Sequence, residues 1–274
     1  MRIRVELGSA SKSLLLPADH NYMLQAYIYS AISDVMAKRL HDEGWQYGKR
    51  RFKMFTFSRM QAHTVEHLDS AKNHLGVPPG DYLRLSPPVW FLLSSPEDLI
   101  LQELSRNLLN DRETRLGSNL LRIQTVSVLP RPDLAADKLV TCDVRTISPI
   151  TVYKTDETGH TTYFSPHDAA FAAYIRENAR RKYTAYFSKA PDMSGFDIVP
   201  LDDHDSLAVV GFKDTRIRGY EGRFRLTGRS DVLRLLYDTG VGSKNSEGCG
   251  LVSIERSGET APDDAKGAID ARSD

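Results

Sequence analysis

The order of strand and helix patterns constrains the fold of this chain most, because the same order occurs twice. Residues 2–7 alternate between apolar and charged side chains, with Ile3, Val5 and Leu7 on one face, which predicts a half-buried strand. The next predicted elements are a helix at 24–35, a strand at 52–58, a strand at 82–94 with a break at Pro87-Pro88, a helix at 96–109 and a strand at 120–129. The first half therefore has the order β-α-β-β-α-β.

The second half repeats this order after residues 130–133, a Pro-Arg-Pro-Asp segment that is the best candidate for a linker. Its predicted elements are strands at 139–147 and 150–153, a helix at 166–187, a strand pair at 207–218 and 222–227, a helix at 231–237 and a strand at 250–255. The sequence thus predicts an α+β protein with two tandem ferredoxin-like (RRM-like, βαββαβ) domains, residues 1–130 and 138–256. Residues 257–274 lack apolar periodicity and are predicted to be a disordered tail.

The charge distribution is compatible with RNA binding although the total charge is balanced. The 274 residues contain 36 Lys and Arg and 36 Asp and Glu. The first sixty residues nevertheless hold ten basic and five acidic side chains, so a basic region is hidden by the neutral total. The two cysteines, Cys142 and Cys249, cannot supply a four-sulfur zinc site. The start of the chain lacks the apolar run of a signal peptide, and we expect a cytoplasmic protein.

A glycine-rich segment precedes the last predicted strand: Gly240-Val-Gly-Ser-Lys-Asn-Ser-Glu-Gly-Cys-Gly-Leu251. It is neither a P-loop nor a dinucleotide fingerprint, because it follows a helix and lacks the required spacing. Its glycines permit positive φ angles and close approach to a ligand. We predict RNA contact from six of its residues, and the alternative is a long flexible connection. The six are Gly240, Gly242, Lys244, Asn245, Gly248 and Gly250.

The histidines give no convincing metal site. His63 and His67 are four residues apart, which on a helix would place them on one face. The surrounding run lacks acidic ligands in a convincing pattern, so exposed histidines are the better interpretation. We therefore expect neither a metal nor a cofactor.

His41 differs from these histidines because it precedes a basic run, residues 49–53, that contains Phe52. An imidazole can transfer a proton, and Lys53 could stabilise charge that develops on a phosphate. Taken alone, these residues favour a simpler interpretation, a cation at a helix C-terminus beside a solvated basic loop. The basic side chains predicted to contact RNA are Lys49, Arg50, Arg51, Arg216, Arg218 and Arg223.

Three segments of the chain resemble the CRISPR-associated endoribonucleases of the sixth Cas family, which cut precursor CRISPR RNA within its repeats. The first is Leu16-Pro17 with His20-Asn-Tyr-Met-Leu-Gln-Ala-Tyr-Ile-Tyr29-Ser-Ala-Ile32, and the second is Phe52-Lys-Met-Phe-Thr-Phe-Ser58. The third and most specific is the glycine-rich segment. The resemblance covers residues 1–255 or so.

The resemblance implies an active site made of a tyrosine, a histidine and a lysine in the first domain. Matched onto this chain, these residues are Tyr29, His41 and Lys53, with Lys49, Arg50 or Arg51 as alternatives to the lysine. It also implies metal-independent cleavage, in which the ribose 2′-hydroxyl attacks the neighbouring phosphate and leaves a 2′,3′-cyclic phosphate and a 5′-hydroxyl.

The implied partners are CRISPR repeat RNA and subunits of a CRISPR effector complex, with the protein a monomer or a homodimer and no membrane involved. One alternative is a non-catalytic RNA-binding subunit of such a complex. Another is a tandem RNA-recognition protein unrelated to CRISPR. That class should carry paired aromatic residues on its central strands, and the sequence has none in that spacing.

Overall fold

The structure is a computed structural model that describes residues 1–69 and 77–259. Two large hydrophobic clusters lie within these ranges, one between residues 3 and 123 and the other between residues 134 and 252, and a small third cluster contains Val210, Phe212, Ile217 and Cys249. Most of the predicted tail, residues 260–274, lies outside the described residues.

The first domain has the predicted order of elements, with short strands added between them. In chain order they are β1 (Arg2–Gly8), β2 (Leu14–Pro17), α1 (Asn21–Ser30), α2 (Asp34–Lys38), a π-helical turn (Arg39–Glu43), β3 (Trp45–Tyr47), β4 (Arg50–Phe52), β5 (Thr56–Phe57), β6 (Gln61–Ala62), β7 (Val65–Asp69), β8 (Asp81–Leu85), β9 (Val89–Ser94), α3 (Asp98–Asn110), β10 (Glu113–Leu116) and β11 (Asn119–Leu129). Ile3, Val5 and Leu7 are fully buried, as the alternation in β1 predicts.

The second domain follows the same plan and adds two hairpins. Its elements are β12 (Leu139–Thr146), β13 (Tyr153–Thr155), β14 (Thr161–Tyr163), α4 (Phe171–Phe187), β15 (Asp197–Pro200), β16 (Ser206–Phe212), β17 (Thr215–Glu221), β18 (Arg223–Arg229), α5 (Ser230–Thr239), a 3₁₀ turn (Asn245–Glu247) and β19 (Val252–Glu259).

The strand order confirms the predicted fold class. The first sheet runs β10-β11-β1-β9-β5, with β6 also paired to β9, and the second runs β15-β18-β12-β19. Counting only the strands of each β-α-β-β-α-β unit, both sheets have the order 4-1-3-2 with antiparallel neighbours. These are two tandem ferredoxin-like domains.

Several predicted elements have different bounds in the structure. The segment predicted as a strand at 82–94 is divided into β8 and β9, which pair in different sheets. The strand predicted at 52–58 is interrupted, because Met54 has a φ of +49° and only β4 and β5 pair on either side of it. The segment predicted as one strand at 207–218 is itself a hairpin, in which β16 pairs with β17 and the chain turns at Lys213. The last strand runs to Glu259, three residues beyond the predicted domain, because it pairs with β12 over that length.

The two domains meet along α1 and β1. The buried guanidinium of Arg2, in β1, donates to the carbonyl oxygens of Val252 (2.8 Å) and Tyr237 (2.7 Å) of the second domain. The hairpin β16–β17 contacts the start of α1, where the Gly211 amide donates to Asp19 Oδ1 at 2.9 Å. The inserted hairpin β16–β17 therefore packs against α1, the helix that carries Tyr29.

Of the helices in the described ranges, none has the length and hydrophobicity that a bilayer crossing requires.

Candidate active site

The three residues matched to the catalytic set lie on three different elements and meet at one place. Tyr29 is in the last turn of α1, His41 is in the π-helical turn, and Lys53 is in the break between β4 and β5. The rings of Tyr29 and His41 have centroids 6.3 Å apart, and Lys53 Nζ lies 5.7 Å from the centroid of the Tyr29 ring. Tyr29 is therefore at the centre of the cluster, between the imidazole and the ammonium.

His41 presents one ring nitrogen to a carboxylate and leaves the other available. Its Nδ1 lies 2.8 Å from Asp42 Oδ1, and its side chain is 69% exposed. This hydrogen bond is the main reason that the pKa of Asp42 is lowered. A carboxylate on Nδ1 orients the imidazole, so that Nε2 is free to accept or donate a proton.

Tyr29 is held by packing rather than by polar contacts. Its ring lies 5.9 Å from that of Phe55, edge to face. Burial raises the pKa of Tyr29 to about 12, so the phenol stays protonated at neutral pH. Its buried hydroxyl makes no hydrogen bond among the described residues, which leaves the group able to bond to a ligand that reaches it.

Lys53 is half-buried beside both acidic and basic groups. Burial lowers the pKa of Lys53, the carboxylates of Glu247 and Asp42 oppose this effect, and Lys213 adds to it. Glu247 belongs to the glycine-rich loop of the second domain, and Lys213 to the β16–β17 turn. The environment of Lys53 is thus built by both domains.

The basic run before Lys53 forms part of a hairpin beside the cluster. Strand β3 pairs with β4, so that Tyr47 is opposite Arg50. Lys49, Arg50 and Arg51 are all exposed, and Arg51 Nη1 donates to the carbonyl oxygen of Asp42 at 2.7 Å. This contact ties the basic run to the turn that carries His41.

The glycine-rich loop is packed between the domains instead of being a free surface loop. The four predicted RNA-contacting glycines, Gly240, Gly242, Gly248 and Gly250, are all buried. A Cβ on Gly248 would lie 2.5 Å from Asn21 Nδ2 and 2.8 Å from Phe57 Cε2. Because these glycines face protein atoms, their positions argue against direct RNA contact and explain the glycines by close packing.

The polar residues of the loop are also used largely inside the protein. The side chain of Asn245 is used internally, since Nδ2 donates to the carbonyl oxygens of Val241 and Cys249. Lys244 is partly buried, with Nζ 3.1 Å from Glu247 Oε1. Of the predicted loop contacts, only Lys244 brings a charge to the surface of the loop.

Sequence reasoning missed the residue that holds this loop together, Lys182 of α4. Lys182 is 2% exposed, and its Nζ donates to Gly240 O at 2.7 Å, Gly242 O at 3.0 Å and Asn245 Oδ1 at 2.6 Å. Burial lowers its pKa to about 7. A signal was present, because Lys182 falls at helical spacing from Ile175 and Ala179 on the apolar face of α4.

The predicted arginines are dispersed over the second domain and partly neutralised. Arg216 and Arg218 are exposed on alternate positions of β17, but Arg216 pairs with Asp19 at 2.6 Å. Arg223 begins β18 and pairs with Asp202 at 2.9 Å. Two of these three arginines therefore have an aspartate partner, which reduces the positive charge that they offer to RNA.

His63 and His67 do not share a helix, since His67 lies exposed on strand β7. Among residues 1–69 and 77–259, no three His, Cys, Asp or Glu side chains lie together in an arrangement that could hold a metal ion.

Comparisons with known proteins agree with the fold. The family described as "CRISPR associated protein Cas6, C-terminal" matches residues 132–254. The CRISPR-associated endoribonuclease Cas6 1 of Methanocaldococcus jannaschii is 28% identical over 265 residues, covering 92% of each chain. The second domain thus matches the Cas6 family model, and the chain as a whole is similar to a Cas6 endoribonuclease.

Solved structures extend the Cas6 relationship to almost the whole chain. A CRISPR associated protein Cas6 superposes with a TM-score of 0.71 at 27% identity, covering 93% of this chain and 99% of the other. A Cas6-related protein from Pyrococcus furiosus has a TM-score of 0.76 at 22% identity with the same coverage, and shows a shared fold.

Proposed function

We propose that this protein is an endoribonuclease of the Cas6 kind that cleaves precursor CRISPR RNA within its repeats, in the cytoplasm and without a metal ion. The observation that carries the proposal is the meeting of Tyr29, His41 and Lys53, which come from three separate elements. The M. jannaschii relative is named an endoribonuclease, which supports the reaction class.

The chemistry uses a nucleophile that the RNA itself provides. The ribose 2′-oxygen attacks the adjacent phosphorus, its proton passes to a base, and the bond from phosphorus to the 5′-oxygen breaks as that oxygen gains a proton. The products carry a 2′,3′-cyclic phosphate and a 5′-hydroxyl. Such a reaction needs proton transfer and stabilisation of negative charge on the phosphate oxygens.

Each member of the cluster suits one of these tasks. His41, oriented through Nδ1 by Asp42, has Nε2 available to move a proton. The protonated Tyr29 hydroxyl donates a hydrogen bond to a phosphate or leaving-group oxygen. The Lys53 ammonium stabilises the charge that develops on the phosphate, and the exposed Lys49 and Arg50 attract the RNA backbone.

The test is cleavage of repeat RNA, transcribed from the CRISPR array of the source organism, in excess EDTA. We expect unchanged cleavage in EDTA and loss of cleavage, with retained binding, when the ribose upstream of the cut is 2′-deoxyribose. Strict dependence on a divalent ion, or normal cleavage of the deoxy substrate, would contradict the mechanism. Binding without cleavage of the all-ribose RNA would favour the alternative of a non-catalytic RNA-binding subunit.

A further inference from the structure

A cleft of about 400 Å³ opens between the two domains next to Lys53. Its volume lies within the range of about 300–1,000 Å³ that is usual for sites that bind small molecules. The first domain contributes Arg50 and Lys53, and the second contributes Tyr153, Asn178 and Lys244. The mechanism proposed above uses only Lys53 and Arg50 of this lining. The cleft as a whole combines aromatic rings and amides with one carboxylate, that of Glu247, and with five basic side chains: Arg50, Arg51, Lys53, Lys182 and Lys244.

Asn178, in α4, is a lining residue whose side chain is buried with an unpaired polar atom. It is 7% exposed, yet its Oδ1 accepts no hydrogen bond from any described residue. Its Nδ2 lies 3.5 Å from Ser243 Oγ, at the outer limit of a hydrogen bond. A buried amide with so few partners is costly unless a ligand supplies them, because buried polar groups are normally paired.

The chemistry of the lining indicates which ligand would supply these partners. A carboxamide offers one acceptor and one donor side by side, and this pattern matches the amine and ring nitrogen of adenine. Unstacked RNA bases are commonly held against aromatic rings, and Tyr153 lines the same cleft. Lys244, whose Nζ lies 5.8 Å from the centroid of the Tyr153 ring, and Lys53 provide positive charge for the attached phosphates.

We propose that the cleft binds one unstacked adenine nucleotide of the RNA, with Asn178 reading the base edge and Tyr153 packing against the base. This proposal rests on the proposed function, since it gives that RNA site a base preference. Lys182 stabilises the glycine-rich loop beside the cleft, because its Nζ donates hydrogen bonds to Gly240, Gly242 and Asn245. Asn178 lies one helical turn before Lys182, so one helix sets both the loop and the base-reading amide.

The test uses fluorescein-labelled nine-residue RNAs of the form U4-X-U4, where X is A, G, C or U, measured by fluorescence anisotropy. The parent protein is expected to bind the A-containing RNA about tenfold more tightly than the U-containing one, as for one well-formed bidentate contact. Asn178→Ala should reduce this preference to less than about twofold while affinity for U9 is retained. Asn110→Ala, which changes an exposed asparagine at the end of α3, should keep the preference.

A second variant keeps the test decisive if Asn178→Ala does not fold. Tyr153→Leu removes the ring from a partly exposed hairpin position and should weaken binding of the A-containing RNA more than that of U9. Equal binding of all four RNAs by the parent protein overturns the proposal, and so does an unchanged preference in folded Asn178→Ala.

Failure of this proposal is distinguishable from failure of the proposed function. Repeat RNA that is cleaved in EDTA by a protein without adenine preference would leave the ribonuclease proposal intact and remove the base site. An adenine preference without cleavage would leave the base site intact and remove the ribonuclease proposal.

Discussion

At the scale of single residues, His41 combines a fixed orientation with access to solvent. Its Nδ1 is held by Asp42 at 2.8 Å, while 69% of its side chain is exposed. His41→Ala should therefore lower the single-turnover rate on repeat RNA by about a hundredfold or more, the range for loss of a general acid or base. The dissociation constant should change little, because the variant keeps the exposed Lys49, Arg50 and Arg51 side chains that attract the RNA backbone. His67→Ala, at an exposed histidine of β7, is the matched control and should cleave normally.

Lys53 should behave differently because it carries charge in a partly buried site that both domains build. Lys53→Ala is expected to lower the cleavage rate and also to weaken binding. If its ammonium contacts one phosphate, the slope of log affinity against log salt should fall by about 0.7. Rate and dissociation constant at two or more salt concentrations check this, with Lys189→Ala as an exposed control. An unchanged slope together with a normal cleavage rate would assign the stabilisation of phosphate charge to Lys49, Arg50 or Arg51 instead of Lys53.

At the scale of elements, the glycine-rich loop acts as a packed connector between the domains. Asn21 Nδ2, on α1, donates to the Glu247 carbonyl oxygen at 3.0 Å, and Gln25 Nε2 donates to the Ser246 carbonyl oxygen at 2.5 Å. Lys182 holds the opposite side of the loop from α4. The loop thus joins the helix that carries Tyr29 to the helix that carries Asn178.

A pair of glycine substitutions separates backbone strain from packing in this loop. Gly248 has a φ of +84° and no room for a Cβ, whereas Gly159 has a φ of +87° and no atom within 4 Å of the Cβ position. Gly159→Ala should cost about 1–2 kcal/mol of unfolding free energy from strain alone. Gly248→Ala should cost about 1–3 kcal/mol more, because the added methyl group overpacks a buried contact. Urea unfolding of both variants measures the difference, and equal losses would contradict the packed arrangement.

At the scale of the whole molecule, buried contacts between the domains predict one cooperative unfolding transition. Arg2 donates from β1 to two carbonyl oxygens of the second domain, and its guanidinium stacks 3.7 Å from the centroid of the Tyr237 ring. Calorimetry should give a single peak with equal calorimetric and van't Hoff enthalpies. Arg2→Ala should cost about 1–3 kcal/mol by removing a buried guanidinium that donates to two carbonyl oxygens, while exposed Arg122→Ala should have little effect. Two resolved peaks for the parent protein would contradict this coupling.

The sequence by itself determined the fold class and predicted the three residues of the candidate site, the third of which, Lys53, also comes from the motif match. Local patterns are enough for this, because alternation in β1 buries Ile3, Val5 and Leu7 wherever the strand lies in the sheet. The order of such patterns then limits the topology to two β-α-β-β-α-β units. Tyr29 and His41 were found through a motif match, which needs no knowledge of their separation in space.

Only the tertiary structure decided how distant segments meet. Helical spacing places Lys182 on the apolar face of α4, but it does not reveal that Lys182 donates hydrogen bonds to the carbonyl oxygens of a loop about sixty residues later. Nor does it reveal that Asn178 lies buried at an interdomain cleft with an unpaired oxygen. The glycines of the loop looked like a ligand-binding pattern, and their burial depends on how α1 packs against the second domain. Contacts of this kind arise from packing between elements that are far apart in the chain, so their partners become visible only when both domains are in place.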